Sequence, residues 1–404
     1  MPRWYWLFAV VLAGCLNLPS GTTVSDPTQD SANWSWNLPV YVPAPRVPAD
    51  NLPNKAKFTL GRYLFYDARL SGNGAQRCAS CHLQSLAFTN GHAVATGATG
   101  EAMPRNVPTL GNAAWNSTYT WANPALGTLE AHHSVPLFSD NPVELGITDA
   151  SGPVVLARLK SDPLYPALFA AAFPGQGDPF VFGNVIKAIA TFIRGILAVD
   201  SRYDRYLQGG ATLSPAELRG LNLFMNEKAD CFHCHGSFNF NEQVTHVGSM
   251  PGEVPQFHNT GLYNIDGLGG FPLPNRGLFE STGIPTDMGL FRAPSLRNVA
   301  ITAPYMHDGS IATLGEVLDF YIAGGRVIPP GQANAGDGRL NPYKDSLASG
   351  LALTPQDKLD LIAFLGTLTD ETMLTDPRLA DPFLADALTG GSPVAAIRAA
   401  ATGP

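Results

Sequence analysis

Two short segments of this sequence carry the residues best suited to redox chemistry. Cys78-Ala-Ser-Cys81-His82 and Cys231-Phe-His-Cys234-His235 both follow the pattern Cys-x-x-Cys-His. In an exported protein this spacing is typical of covalent c-type haem attachment, in which two thiols bond to the haem vinyl groups and the adjacent imidazole binds the iron. A redox dithiol or half of a zinc site is the other interpretation of one such motif. Its recurrence, each time with histidine in fifth position, predicts two haem c groups ligated by His82 and His235.

Each haem motif follows a predicted helix that carries the same short phrase. Gly61-Arg-Tyr-Leu64-Phe65 lies in a helix expected over 54–66, and Gly220-Leu-Asn-Leu223-Phe224 lies in a helix opened by the capping sequence Ser214-Pro215-Ala216-Glu217. The two phrases lie 159 residues apart and the first cysteines of the two haem motifs lie 153 residues apart. The sequence therefore predicts an internal repeat in which one haem domain is used twice.

The remaining periodicity is mostly helical. Helical segments are predicted near 153–173 and over 181–199, and two further caps, Thr313 with Glu316 and Thr354 with Asp357, begin the last two clear helices. The apolar stripe of the 181–199 segment consists of Val181, Val185, Ile189, Phe192 and Ile196. Residues 236–288 are rich in Gly, Pro and Asn and are expected to be mostly loop. We expect a mostly α fold, with two cytochrome c-like haem domains related as an internal repeat and long wrapping loops.

Length and composition set outer limits on the function. A chain of 404 residues with 45% hydrophobic content can form two cores. A net charge of -8 argues against nucleic acid as a partner. Four of the five cysteines belong to the haem motifs and the fifth is Cys15, so none is left for a disulfide.

The N-terminal residues predict export. Arg3 precedes an apolar run that ends in Leu12-Ala-Gly-Cys15, which is typical of a lipoprotein signal peptide cleaved before a lipid-bearing cysteine; an ordinary secretory signal with an incidental cysteine is the alternative. We expect a protein on the periplasmic side of the bacterial envelope, held to the membrane only through lipid on Cys15. The predicted organisation is signal peptide and lipobox 1–15, tether 16–51, N-terminal haem domain 52–205, C-terminal haem domain 206–376 and tail 377–404.

Five phrases in combination resemble the bacterial di-haem cytochrome c peroxidase and MauG family over about residues 50 to 375. They are Leu60-Gly-Arg-Tyr-Leu-Phe-Tyr-Asp67, Cys78-Ala-Ser-Cys-His82, Pro104-Arg-Asn-Val-Pro-Thr109, Asn141-Pro-Val-Glu-Leu-Gly146 and Ala303-Pro-Tyr-Met-His-Asp-Gly309. Thr120-Trp-Ala-Asn-Pro124 and the stretch 257–264 are most similar to the methanobactin-associated branch of that family. The resemblance implies an oxidoreductase with a peroxide-reactive haem in the N-terminal domain and an electron-transfer haem in the C-terminal domain.

The resemblance also implies an axial ligand opposite His235. Family members place either methionine or tyrosine there, and the matching residue is Tyr321. A phenolate is a hard anionic donor that stabilises ferric and higher iron, which is the MauG-like condition. Periodicity alone would make Tyr321 a core aromatic, and Tyr305 and Met306 are alternative ligands.

At the first haem, the resemblance implies an open iron with distal acid–base groups. The loop 95–101 lacks the histidine with which the peroxidases close this iron, although His92 lies nearby, so a five-coordinate haem at His82 is expected. Glu144 matches the distal carboxylate that moves a proton between the peroxide oxygens, and a helix-start glutamate is its other interpretation. His132, next to His133, stands where the family usually has glutamine.

Two further features follow from the same resemblance. Trp121 matches the tryptophan between the haems, where an indole offers an orbital for electron transfer. Asn106, Thr302 and Pro304 match a calcium site made of hard oxygen donors, although the sequence alone would make them turn residues.

The expected function is that of a MauG-like di-haem enzyme. It would use hydrogen peroxide to form a high-valent di-haem state that oxidises a residue of a partner protein. The methanobactin-associated branch implies conversion of tryptophan to kynurenine on a copper-binding partner that is periplasmic or lipid-anchored. The alternatives are a peroxidase that reduces hydrogen peroxide with electrons from a small cytochrome, and a non-catalytic electron-transfer cytochrome. Because no tryptophan follows Trp121, the electron exit path from the second haem stays open, with Phe232 or a tyrosine as candidates.

Overall fold

The computed structural model of the chain describes residues 34–250 and 255–384, and in them α-helices dominate. The α-helices are α1 (Lys55–Tyr66), α2 (Leu129–His132), α3 (Ser134–Phe138), α4 (Gly152–Lys160), α5 (Leu164–Ala172), α6 (Phe182–Arg194), α7 (Arg202–Leu207), α8 (Pro215–Phe224), α9 (Phe232–His235), α10 (Phe279–Thr282), α11 (Leu314–Ala323), α12 (Pro355–Gly366) and α13 (Glu371–Thr375). Short 3-10 helices span Ala49–Asn51, Ala68–Leu70, Cys78–Ser80, Gln84–Leu86, Ala113–Trp115, Pro285–Asp287, Val299–Ile301, Gly338–Leu340 and Ser346–Ala348. The strands of the described residues, β1 (Val327–Ile328) and β2 (Gly336–Asp337), form one antiparallel pair in which Val327 lies opposite Asp337. The mostly α prediction is confirmed.

The first core is built on the crossing of α1 and α6. A methyl group at Gly61 would lie 2.0 Å from the carbonyl oxygen of Ala188, so the two helix backbones touch where α1 has no side chain. Around this crossing Leu64 on α1 and Phe192 on α6 are fully buried. The predicted helix over 181–199 is shorter than expected, since α6 ends at Arg194. Val181 is 47% exposed and precedes the helix as its N-cap, and Ile196 is buried but follows the C-cap Gly195.

The second core repeats this construction with α8 and α12. A methyl group at Gly220 would lie 2.0 Å from the carbonyl oxygen of Asp360 and 2.8 Å from Cβ of Phe364. Phe364 thus takes the place that Phe192 has in the first core, where the corresponding distance from Gly61 is 2.9 Å. The internal repeat predicted from the sequence is confirmed.

The helix starts follow the capping sequences. The side chains of Ser214, Thr313 and Thr354 each accept a hydrogen bond from the backbone N–H three residues later, and the acidic residue there bonds back to the cap. Long loops join these helices. Between α9 and α10 the described residues contain neither an α-helix nor a strand, which agrees with the loop predicted over 236–288.

Both ends of the described chain pack on the cores. The Tyr41 hydroxyl donates to Asp204 at 2.7 Å, and the Tyr66 hydroxyl donates to the carbonyl of Leu379 at 2.7 Å. The predicted signal peptide and Cys15 lie outside the described residues. None of the helices in the two described stretches combines the length and the apolar character needed to cross a membrane.

Candidate functional site

The first haem motif presents His82 ready for metal binding. The turn Cys78–Ser80 carries the motif, and the Nδ1–H of His82 donates to the carbonyl of Phe88 at 2.7 Å. This bond leaves the lone pair of Nε2 for an iron. Burial lowers the pKa of His82 to about 4, so the imidazole is neutral at physiological pH.

The second motif repeats this arrangement on α9. The Nδ1–H of His235 donates to the carbonyl of Phe240 at 2.8 Å. Phe240 has a φ of 52°, and the equivalent Phe88 has a φ of 61°, so both carbonyls are turned toward their histidines by left-handed residues. Two neutral imidazoles with Nδ1 engaged and a thiol pair beside each fit two haem c groups.

A cavity of about 260 Å³ lies beside the second motif. Cys231, Cys234 and His235 line one part of it, and mainly apolar side chains line the rest. An apolar enclosure with a few placed polar groups is the usual form of a cofactor site. The lining therefore fits a haem attached at Cys231 and Cys234.

Tyr321, on α11, faces the same cavity. Its hydroxyl has no hydrogen-bond partner among the described residues, and burial, with smaller contributions from Cys234 and Cys231, raises its pKa well above the usual value. The two alternative ligands, Tyr305 and Met306, differ from Tyr321. The hydroxyl of Tyr305 already donates to the carbonyl of Val299 at 2.9 Å, and the backbone of Met306 is in the left-handed region, with a φ of 72°. Of these side chains, Tyr321 offers the uncommitted oxygen.

Glu144 lies beside the first motif, in the non-helical segment that follows α3. The next residue is held against α3, because the N–H of Leu145 donates to the carbonyl of Pro136 at 3.0 Å. Burial raises the pKa of Glu144 to about 7, and its charge in turn contributes to the raised pKa of the Cys78 thiol. The carboxyl group is therefore close to the first haem motif and can change its protonation state near neutral pH.

The loop 95–101 packs against the same segment. A bridge between Thr96 and Ala102 closes the loop, and a methyl group at Gly97 would lie 1.9 Å from the Val143 carbonyl. The loop brings no histidine to Glu144. His92, the alternative upstream, is exposed.

His132 is half-buried, and one of its ring nitrogens is buried without a partner among the described residues. Its ring stacks on Tyr119 with centroids 5.9 Å apart, and its Nδ1 has no partner in the described part of the chain. Burial, followed by the neighbouring His133, lowers the pKa of His132 to about 3, so it acts as a neutral imidazole. His133 instead bonds the Leu129 carbonyl through Nδ1 at 2.6 Å, which is a structural role.

Trp121 and the predicted calcium residues lie together on the cavity wall. Trp121 is 8% exposed, and its indole N–H donates to the carbonyl of Asn106 at 2.8 Å. The side-chain N–H of Asn106 donates to the carbonyls of His92 and Ala93, which leaves its Oδ1 unengaged.

Two backbone oxygens are the other candidate calcium ligands. Thr302 and Pro304 line the same cavity as Asn106, and their carbonyls accept no hydrogen bond from the described residues. Uncommitted amide and carbonyl oxygens are the donors that Ca²⁺ prefers, so the donor set fits the ion.

The sequence patterns did not reveal some groups in and around the cavity. His258 bonds Asp345 through Nδ1 at 2.6 Å and Glu242 through Nε2 at 2.5 Å. Arg292 is buried with Nε unpartnered within the described residues. These residues are far apart in sequence and carry no spacing signal, so only the fold brings them together.

Comparisons with known proteins agree with this geometry. A family model of di-haem cytochrome c peroxidases matches residues 55–212. The chain is 32% identical over 343 residues to the methylamine utilization protein MauG of Methylorubrum extorquens, covering 84% of this chain and 85% of that protein. It is 34% identical over 355 residues to cytochrome-c peroxidase IdrP1 of Denitromonas iodatirespirans, covering 84% and 88% of the two chains.

A solved structure is more similar still. The crystal structure of a MauG-like protein associated with microbial copper homeostasis matches with a TM-score of 0.85 and 54% identity, over 87% of this chain and 99% of that chain. The similarity therefore extends over both haem motifs.

Proposed function

This chain belongs to the di-haem cytochrome c peroxidase family that includes MauG, and we propose that it is a MauG-like enzyme that uses hydrogen peroxide to oxidise a residue of a partner protein. Membership makes it a di-haem oxidoreductase with two c-type haems. The observation that carries the proposal is Tyr321, whose unpartnered phenol faces the cavity of the second haem motif.

The first haem motif provides the groups for peroxide chemistry. When bound, the haems supply iron-centred oxidation by peroxide. Glu144 accepts a proton from the inner oxygen of peroxide and returns it to the outer oxygen, a role for which a pKa of about 7 is well matched. His132 is a neutral imidazole that would donate a hydrogen bond where the family usually has glutamine.

At the second haem motif, His235 and Tyr321 line the same cavity and would be the two residues that bind the haem iron. A phenol buried in an apolar cavity loses its proton only when a metal takes its place, because burial raises its pKa. An anionic oxygen ligand then favours the oxidised forms of iron, so this half stores oxidising equivalents. Trp121 lies on the wall of the same cavity, and its indole offers an aromatic orbital for electron transfer between the two halves.

The substrate we propose is a protein that docks at the surface. The solved structure that is 54% identical is described as associated with microbial copper homeostasis, which supports a copper-binding partner. Oxidation of a tryptophan of that partner to kynurenine is the reaction we propose. Both proteins would meet on the periplasmic side of the envelope, with this chain anchored through Cys15.

We also include a calcium ion in the proposal. It would be held by Asn106, Thr302 and Pro304, whose oxygens are uncommitted. The backbone carbonyl of Asn106 accepts a hydrogen bond from the indole N–H of Trp121. An ion bound to Asn106 would therefore also hold the Trp121 side chain in position.

The test is peroxide-dependent modification of the partner. The haem-loaded protein is mixed with a purified copper-binding partner and hydrogen peroxide, and the partner is analysed by peptide mass spectrometry. We expect the mass change of tryptophan-to-kynurenine conversion at one site, lost in Glu144→Gln. If the partner is unchanged and the protein instead reduces peroxide rapidly with electrons from a reduced small cytochrome, the result would contradict this proposal and favour a peroxidase.

A further inference from the structure

His258 lies between two carboxylates. Its Nδ1–H donates to Asp345 at 2.6 Å and its Nε2–H donates to Glu242 at 2.5 Å. A neutral imidazole has only one N–H, so a ring whose two nitrogens both face carboxylate oxygens is protonated. Burial opposes this charge, but hydrogen bonds with Cys234, Glu242 and Asp345 raise the pKa of His258 to about 11. The two carboxylates remain when Cys234 is bonded to a haem. The cluster therefore contains one cation and two anions and is anionic overall.

The surrounding backbone holds these three side chains in place. The N–H of His258 donates to the carbonyl of Phe291 at 2.7 Å, and the N–H of Phe291 donates to the carbonyl of His258 at 2.9 Å. The N–H of Asp345 donates to the carbonyl of Asn259 at 2.8 Å. The side chain of His258 is 15% exposed, that of Glu242 19% and that of Asp345 25%, so water screens their charges only in part. The cluster therefore acts on its neighbours as a fixed charge.

Direct contacts place the cluster at the second haem motif. The sulfur of Cys234, a carboxylate oxygen of Glu242 and a ring nitrogen of His258 lie within 4.8 Å of one another. His258 and Asp345 also line the cavity that Cys234 and His235 line. A haem bonded to Cys234 would therefore have this anionic cluster at its edge.

We propose that Glu242, His258 and Asp345 form a fixed anionic cluster that lowers the reduction potential of the haem attached to the second motif. The inference rests on the haem content of the proposed function but not on its substrate. Ferric iron carries one more positive charge than ferrous iron, so a nearby negative charge stabilises the ferric haem. The cluster acts in the same direction as the proposed Tyr321 ligand, but it acts through space and not through a bond to iron.

The test measures the midpoint potential of each haem by spectroelectrochemistry at neutral pH, without peroxide or partner. We expect Glu242→Gln and Asp345→Asn each to raise the potential of the second haem, because each removes a negative charge while the remaining carboxylate keeps His258 protonated. His258→Gln, which removes the positive charge, should not raise it. Asp319→Asn is the matched control, because it removes one carboxylate from an ion pair with Lys358 on α11, where the Asp319 side chain is 62% exposed. The first haem should keep its potential in every variant.

The difference between the carboxylate variants and the imidazole variant separates a charge effect from a packing effect. A rise of the second potential in all three variants, His258→Gln included, would assign the shift to altered packing and would overturn the proposal. Potentials of Glu242→Gln and Asp345→Asn that match the Asp319→Asn control would overturn it as well. If Glu242→Gln does not retain both haems, Asp345→Asn decides, because it removes the same charge from the other side of the imidazole ring. None of these readouts depends on oxidation of a partner, so the proposed function and this inference can fail separately.

Discussion

The indole N–H of Trp121 donates to the backbone carbonyl of Asn106 at 2.8 Å, and this bond links two residues for which we propose different roles. Asn106 is a proposed calcium ligand, and Trp121 lines the cavity beside the second haem motif. A cation held by the Asn106 side chain would fix the backbone that receives the indole. Calcium occupancy and electron transfer between the haems are therefore expected to depend on each other.

Removal of calcium should weaken communication between the haems. We expect one calcium ion per purified chain by elemental analysis, and loss of that ion on chelation or in Asn106→Ala. Peroxide should then oxidise the second haem more slowly in stopped-flow spectra, with recovery on adding Ca²⁺ but not Mg²⁺, because backbone carbonyl donors suit the larger ion. Asn73→Ala, at an exposed loop position, serves as the control. An unchanged rate in calcium-free protein would contradict the link.

Trp121→Phe should slow electron transfer between the two haems without loss of either haem. The substitution removes one hydrogen bond and part of a buried ring, for an expected loss of about 1–3 kcal/mol in stability. We expect the first haem to react with peroxide normally and the second to be oxidised far more slowly. Trp115→Phe is the matched control, because its indole N–H also donates to a backbone carbonyl, that of Pro43 at 2.7 Å, in a different cluster. Equal slowing in both variants would argue for a packing effect alone.

The parts of the site that are local in sequence were predictable from it. A Cys-x-x-Cys-His motif places its ligands within five residues, and the capping residues Ser214, Thr313 and Thr354 act on the next turn of backbone. The repeat of the two glycine-containing phrases was predictable from the sequence, but the reason for the glycines lies in the tertiary packing of the helices. Gly61 and Gly220 each allow a second helix backbone to approach directly.

The parts that depend on chain crossings were not predictable. Arg292 is buried and lines the cavity, and the Glu242, His258 and Asp345 cluster joins two residues of the long loop between α9 and α10 to one that lies 87 residues after His258. No periodicity or spacing marks such groups. The error at Val181 has a local cause, since an apolar residue at an N-cap lies outside the helical stripe.

Glu144 should control the pH dependence of the peroxide reaction. Burial raises its pKa to about 7, and only the ionised carboxylate accepts a proton from peroxide, so the rate at the first haem should rise as pH increases through about 7. Glu144→Gln should be slower by about 10²–10⁴-fold and lose this pH step. The control is Glu101→Gln, on the exposed part of the neighbouring loop. A step that survives in Glu144→Gln would assign the titration to another group.

The two helix crossings should respond alike to an added methyl group. Gly61→Ala and Gly220→Ala each place Cβ 2.0 Å from a backbone oxygen of the facing helix, so each should destabilise the protein by at least about 1–3 kcal/mol. Gly183→Ala on α6 has open space around its Cβ and should be neutral or stabilising by up to about 1 kcal/mol. Thermal denaturation of the haem-loaded proteins measures the difference. If Gly220→Ala leaves the thermal stability unchanged, the second core would lack the tight helix crossing of the first.

Tyr321 decides whether the second haem site is of the MauG type. Its phenol has no hydrogen-bond partner among the described residues, whereas the Tyr305 hydroxyl already donates to the Val299 carbonyl at 2.9 Å. In electron paramagnetic resonance spectra of the resting ferric protein, we expect one high-spin and one low-spin haem. Tyr321→Phe should change the low-spin signal, because it would remove the proposed iron ligand, while Tyr305→Phe should leave it unaltered. Tyr321→Met should restore a low-spin haem with a higher potential, since a thioether favours ferrous iron more than a phenolate does, and partner oxidation should fall accordingly. A low-spin signal indifferent to both Tyr321 substitutions would remove this residue from the iron and would favour an electron carrier or a closed peroxidase.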